Sequence, residues 1–327
     1  AVIAFLYYRH SRAPLPADEG QFAPCRAVSV IRRLAVLAVP VAAANMLLPA
    51  VASIDLFIVP QRLEAAGYTI HEATTLFGYL TGMANGLVQL PTILTISLAT
   101  SLVPAVSAAY SKGQTDLVLK RANTAMRIAN IITVPSCCGL AVLAVPISQM
   151  LYATPEAGPA ICVLSISVFF IGVQQITSGL FQGMGHTAIP LLNMAVAAVF
   201  KILFSWHLTA IPWLGEVGAA WATNIDLAVA TILNLYFAHR LIAYHVQWGY
   251  VARLFLSAAA MAGTAWFAYH GLLLFLGNTG ATLAAISAAG AVYLLCLFLF
   301  RAVAADDLRR VPVVGSKVSS LLGRLEK

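Results

Sequence analysis

Charge is what this sequence has least of. Only 9% of its 327 residues are Asp, Glu, Lys or Arg, against 61% hydrophobic, where soluble domains average about 25% charged. That scarcity excludes an ordinary water-soluble domain, which needs a charged shell. Acidic residues are the rarer sign, 12 against 19 basic, for a net charge of +7. A nucleic-acid reading would need those basic residues clustered with aromatics in a recognisable module. Here they fall in the short polar stretches between apolar runs, so no nucleic-acid partner is expected.

Cysteine is sparse as well. Cys25, Cys137, Cys138, Cys162 and Cys296 have no metal-ligand spacing, and four of them lie in apolar runs, where cysteine behaves as a small hydrophobe. The chain also lacks G-x-S-x-G, H-E-x-x-H and a phosphate-binding Gly-Lys-Ser loop. Without those patterns we expect no catalytic residue, no metal, no cofactor and no ATP hydrolysis by this chain.

What is present is apolar and helix-length. Mean hydropathy is +0.87. Residues 76–106 carry no charge at all and would make about 46 Å of helix, ample for a bilayer crossing. Asn85, Gln89, Pro91 and Pro104 interrupt that run. Lipid would leave those groups unpaired, so this span is expected to face protein or a cavity.

Eight spans are predicted, at residues 34–59, 76–106, 128–145, 160–180, 189–208, 218–237, 251–272 and 281–300. The fold class is therefore all-α integral membrane. Residues 1–8 read as the end of a transmembrane helix, too short to cross and with basic residues after the apolar run rather than before it, unlike a signal peptide. With the N-terminal stretch inside, the inner segments hold 17 Lys and Arg and the outer loops only Arg62. That is a positive-inside pattern with both ends cytoplasmic.

Three charges lie at membrane depth: Asp55, Lys201 and Asp226. Such groups normally face the bundle interior. They either line a polar cavity or pair structurally, Asp226 with Lys201 across two adjacent helices. Asn45, Asn85, Gln89, Gln174, Gln175, Asn193 and Asn224 add seven amides over five spans. One interior amide is commonly interhelical glue, whereas this many suggest a hydrated cleft. Asn85 and Gln89, four apart, share a helix face. Pro40, Pro49 and Pro91 are candidate hinges, since proline removes a helical hydrogen bond. A polar interior without catalytic groups points to a transporter or flippase. A membrane-bound enzyme and a structural scaffold are the alternatives.

Three stretches carry a resemblance: FGYLTGMANGLVQLPTILTISLATSLVPAVSAAYSKG (77–113), QQITSGLFQGMGHTAIPLLNM (174–194) and GEVGAAWATNIDLAVATILNL (215–235). They are similar to the polysaccharide-biosynthesis/stage V sporulation protein B family, in the multidrug/oligosaccharidyl-lipid/polysaccharide exporter superfamily that also holds the lipid II flippases. The resemblance implies two six-helix lobes facing each other across a central cavity, with two further helices. On that plan residues 1–8 end a truncated helix, 9–33 form a cytoplasmic linker and 34–239 a six-helix C-terminal lobe. Residues 240–304 give the two additional helices and 305–327 a cytoplasmic tail. An N-terminal lobe of the same protein would complete the cavity.

The implied cargo is an undecaprenyl-linked saccharide or peptidoglycan precursor, moved across the bacterial cytoplasmic membrane by alternating access. Lys201 is then a candidate counter-charge for a pyrophosphate, and Asp226 an ion-coupling or pairing residue. An ion-coupled multidrug exporter of the same superfamily is the first alternative, and a non-transporting envelope or sporulation scaffold the second.

Overall fold

The structure, a computed structural model, describes residues 27–300. The expectations for residues 1–8, for the linker up to residue 26 and for the tail beyond residue 300 lie outside the described residues. The chain divides into two units, Ala1–Val39 and Pro40–Lys327. Among the described residues the first unit contributes only the opening of helix α1, and the second holds every other element.

Among the described residues the protein is entirely helical: α1 (Ala27–Ala65), α2 (Ile70–Gly78), α3 (Asn85–Tyr110), α4 (Thr115–Val142), α5 (Ala144–Tyr152), α6 (Gly158–Leu164), α7 (Ser167–Gly183), α8 (Ala188–Leu208), α9 (Glu216–Ile242) and α10 (Trp248–Leu299). Among the described residues six stretches are long and apolar enough to cross a membrane, or seven if the bent pair α6–α7 counts as one.

Several helices outrun their predicted spans. Residues 60–75 and 108–127 read as polar connections, yet the true links are residues 66–69 and 111–114. Lys120, Arg121 and Arg127 belong to α4. Charge marks where a helix leaves hydrocarbon, and the helix itself continues because Lys and Arg are good helix formers.

Helix α2 begins on a capping box. Thr69 Oγ1 accepts from the Glu72 N–H at 3.3 Å, and Glu72 Oε2 accepts from the Thr69 N–H at 2.8 Å. Two otherwise orphaned donors are thereby satisfied. Between α2 and α3, Tyr79–Ala84 is a π-helical turn in which the Asn85 N–H reaches back five residues to Leu80 O. In α3 the hydroxyls turn inward onto their own helix, as with Thr92 on Gln89 O at 2.8 Å and Ser97 on Ile93 O at 3.0 Å. That back-bonding keeps so many hydroxyls compatible with hydrocarbon.

Helix α7 presses its glycines on α3. A Cβ on Gly179 would meet Ala99 O at 2.8 Å, and one on Gly183 would meet Val103 O at 2.8 Å. This is the close backbone approach that small residues four apart allow in membranes.

At 52 residues α10 would be about 78 Å long if straight, far beyond a bilayer. It breaks at Gly277, with φ 65° and ψ 179°. This is a conformation only glycine adopts readily. Tyr250 near its start donates to Arg127 O at 3.4 Å, and Tyr293 near its end donates to Ile131 O at 3.0 Å. Both reach adjacent turns of α4, so the chain has doubled back into a hairpin. The reversal is sharper than the eight residues left between the predicted spans 251–272 and 281–300. At its apex Tyr269 donates to Asn278 Oδ1 at 2.8 Å, and Asn278 Nδ2 donates to Pro146 O at 3.1 Å.

Candidate functional site

The site is built on the antiparallel pair α8–α9. Asn193 Nδ2 donates to Asn234 Oδ1 at 2.7 Å. Toward the other end, Gly218 lies so close that a Cβ there would sit 2.5 Å from Leu208 O. These two contacts set the register and put Lys201 level with Asp226. Helix α1 runs parallel to α8, with Arg62 beside Trp206. The Arg62 Nε donates to Trp206 O at 3.0 Å, and its guanidinium lies 4.4 Å from the indole centroid.

One and a half to two turns before these anchors, Lys201 Nζ meets Asp55 Oδ2 at 2.6 Å, with side chains 11% and 15% exposed. The predicted pair Lys201–Asp226 is therefore not the one formed: the carboxylate comes from α1. Asp226 stands within electrostatic reach of both partners. Two carboxyl groups and one ammonium thus converge from three helices at membrane depth.

The pair is incompletely satisfied. Asp55 Oδ1 is buried without a hydrogen-bond partner, and so is Ser205 Oγ, one turn beyond Lys201 on the same face. A buried ion pair repays its desolvation only when its remaining lone pairs are also met. This one falls short of that, so stability alone does not account for it. The Lys201 charge is directed at Asp55, and in this conformation it is not a spare cation for a phosphate.

The predicted amides divide by use. Asn234 links Asn193 onward to Thr177 Oγ1 at 3.0 Å, so α7, α8 and α9 are joined by a chain of two hydrogen bonds. Asn224 Nδ2 donates to Val163 O at 2.8 Å, and Thr231 donates to Phe170 O at 3.2 Å. The first of these carbonyls is at the 40° bend between α6 and α7, where interrupted helical bonding must be met from outside. Gln175 Oε1 accepts from Thr95, and Gln174 is half-buried. Asn45, Asn85 and Gln89 are exposed on the helix surfaces.

Pro40 and Pro49 lie within α1, and Pro91 within α3. Among the described residues no three His, Cys, Asp or Glu side chains come close enough to hold a metal. Missing from the predicted set were Thr177, Thr231, Asn234 and the glycines at 179 and 183. The last carry a readable signal, G-x-x-x-G in an apolar run.

Residues 77–289 match the family described as lipid II flippase MurJ. Among curated proteins, stage V sporulation protein B of Bacillus subtilis (strain 168) is 28% identical over 259 residues, 79% of this chain and 50% of that protein. The membrane protein YabM of the same organism is 27% identical over 272 residues, 81% of this chain and 50% of its own length. The sporulation protein YkvU is 28% identical over 156 residues, 48% of this chain and 35% of that protein. The chain thus spans about half the length of the first two.

Proposed function

The chain belongs to the lipid II flippase MurJ family, and from that premise we propose that the whole protein moves an undecaprenyl-linked saccharide or peptidoglycan precursor from the inner to the outer leaflet by alternating access. The match over residues 77–289 carries this reading. The physical task is to pass a charged headgroup through hydrocarbon while the lipid tail stays in the bilayer. Two lobes rocking about a central polar site accomplish it. This chain supplies the C-terminal lobe and the appended hairpin. A second lobe of comparable size completes the cavity, in keeping with the half-length coverage of the relatives.

Counting the α10 hairpin as two crossings and α6–α7 as one gives eight spans. The lysine and arginine distribution then favours both ends of the chain on the cytoplasmic side. On this reading Asn85 and Gln89, exposed on α3, and Asn45, on α1, face the cavity. The test is leaflet accessibility of a labelled undecaprenyl-linked precursor in vesicles holding the full-length protein. The expected result is exposure of the precursor in the far leaflet. Failure under every imposed ion gradient and membrane potential would overturn the lipid-linked substrate.

A second reading, an ion-coupled multidrug exporter, draws on the half-buried carboxyl groups of Asp55 and Asp226 beside Lys201. It requires gradient-driven movement of cationic dyes by the same vesicles.

A further inference from the structure

We propose that Lys201 is a two-position switch, paired with Asp55 while α1 lies against α8 and handed to Asp226 when α1 moves away. Asp226 is thus a positioning residue, the reserve partner that lets α1 leave.

The two carboxylates sit on helices held in very different ways. Asp226 belongs to α9, locked to α8 by the Asn193–Asn234 hydrogen bond and the backbone contact at Gly218. Whatever α8 does, α9 accompanies it, and Asp226 stays level with Lys201. Asp55 belongs to α1, of which Pro40–Ala65 buries only Val51, Val59 and Leu63 among its described large apolar side chains, while Met46, Leu56 and Phe57 stand exposed. Among the described residues its polar ties to α8 are the Arg62–Trp206 contact and the ion pair itself.

Moving α1 would strand an ammonium in the bundle, and breaking a buried pair by removing one partner is strongly destabilising. A lysine has four flexible methylenes and a compact charge, so it can turn to a second acceptor without moving its backbone. Asp226, level with Lys201 on α9 by the register that the Asn193–Asn234 and Gly218–Leu208 contacts set and within its electrostatic reach, is that acceptor. The unpartnered Asp55 Oδ1 fits a contact built to be released rather than one saturated with hydrogen bonds.

This inference rests on the proposed alternating access for its purpose, and its test does not require any cargo. Spin labels at Phe57 on α1 and Leu203 on α8, both exposed, report the separation of the helices in the full-length protein in lipid vesicles. With Asp226→Asn, Lys201 keeps Asp55 as its one carboxylate, and the short-distance population is expected to grow several-fold. With Asp55→Asn the reserve partner takes over, and the long-distance population is expected to grow several-fold. Adding Lys201→Met to each should make the two distributions alike.

The opposite signs are what a merely structural cluster cannot produce. Shifts in the same direction, or no shift in either variant, would overturn the switch. Should Asp55→Asn fail to fold, Asp226→Asn alone decides, since a structural role predicts loosening and the switch predicts closure. A closed Asp226→Asn variant beside an inactive wild type would keep the switch and sink the cargo reading.

Discussion

Helices α8 and α1 both contribute to the charge cluster, yet they are held by unlike means. Helix α8 is knit to α9 along its length, by an amide pair at one end and backbone-to-backbone contact at the other. From Pro40 on, α1 is attached by a handful of side chains toward its C-terminal end. In the first case each bond is one of many and register cannot slip. In the second, a single ion pair and a single cation–π contact carry much of the attachment, so each is individually consequential. A helix meant to move should look like the second.

The largest expected effect is on the shared cluster. Lys201→Ala leaves two carboxylates facing each other in the bundle and should cost about 3–5 kcal/mol, read as a lowered unfolding midpoint in detergent. Replacing Lys201 by Met together with both carboxylates by Asn should recover most of it, because no uncompensated charge remains.

Next comes the backbone contact. Gly218→Val forces atoms into Leu208 O and should cost roughly 1–3 kcal/mol as overpacking. If it instead proves neutral in the same unfolding assay, α8–α9 is looser than the contrast with α1 requires.

Asn234→Leu removes two interhelical hydrogen bonds, each worth about 0.6 kcal/mol in a membrane and at most about 1.7. Because many other contacts hold the pair, helix separation measured by spin labels should hardly change.

The smallest energy belongs to α1. Trp206→Leu removes the ring beneath Arg62 but keeps the backbone carbonyl to which Arg62 Nε donates, a loss of about 0.5–1 kcal/mol at such a site. Yet alkylation of a cysteine placed at Val59, otherwise 1% exposed, should accelerate measurably. A small energy with a large change in accessibility is the mark of a sparsely held helix.

Hydropathy and spacing made the membrane helices legible, and the short link between α8 and α9 made Lys201 and Asp226 neighbours in principle. The Asp55 pairing was not legible, because it joins helices separated by most of the lobe and depends on a register that no local pattern encodes. The helix ends were misplaced for a physical reason: Lys120, Arg121 and Arg127 fall within α4, because charge does not end helical structure. In 76–106 the prolines drew attention as bends. The departure from α geometry lies instead at Tyr79–Ala84, where the residues TGMA give no clear sequence signal. Gly277 was expected as part of a turn, and only its backbone angles reveal that one residue reverses the chain.

The π turn at Tyr79–Ala84 also has the character of a phase marker. It accommodates one residue more than an α-helix would need, so everything after it is rotated by about 100° relative to an uninterrupted helix. A chain one residue shorter in this turn would close it as ordinary α-helix and keep Asn85 and Gln89 on their present exposed face. Deleting Gly82 should therefore leave the polar side of α3 where it is, whereas winding the same residues into continuous α-helix would swing that side by about 100° without altering any residue that lies on it.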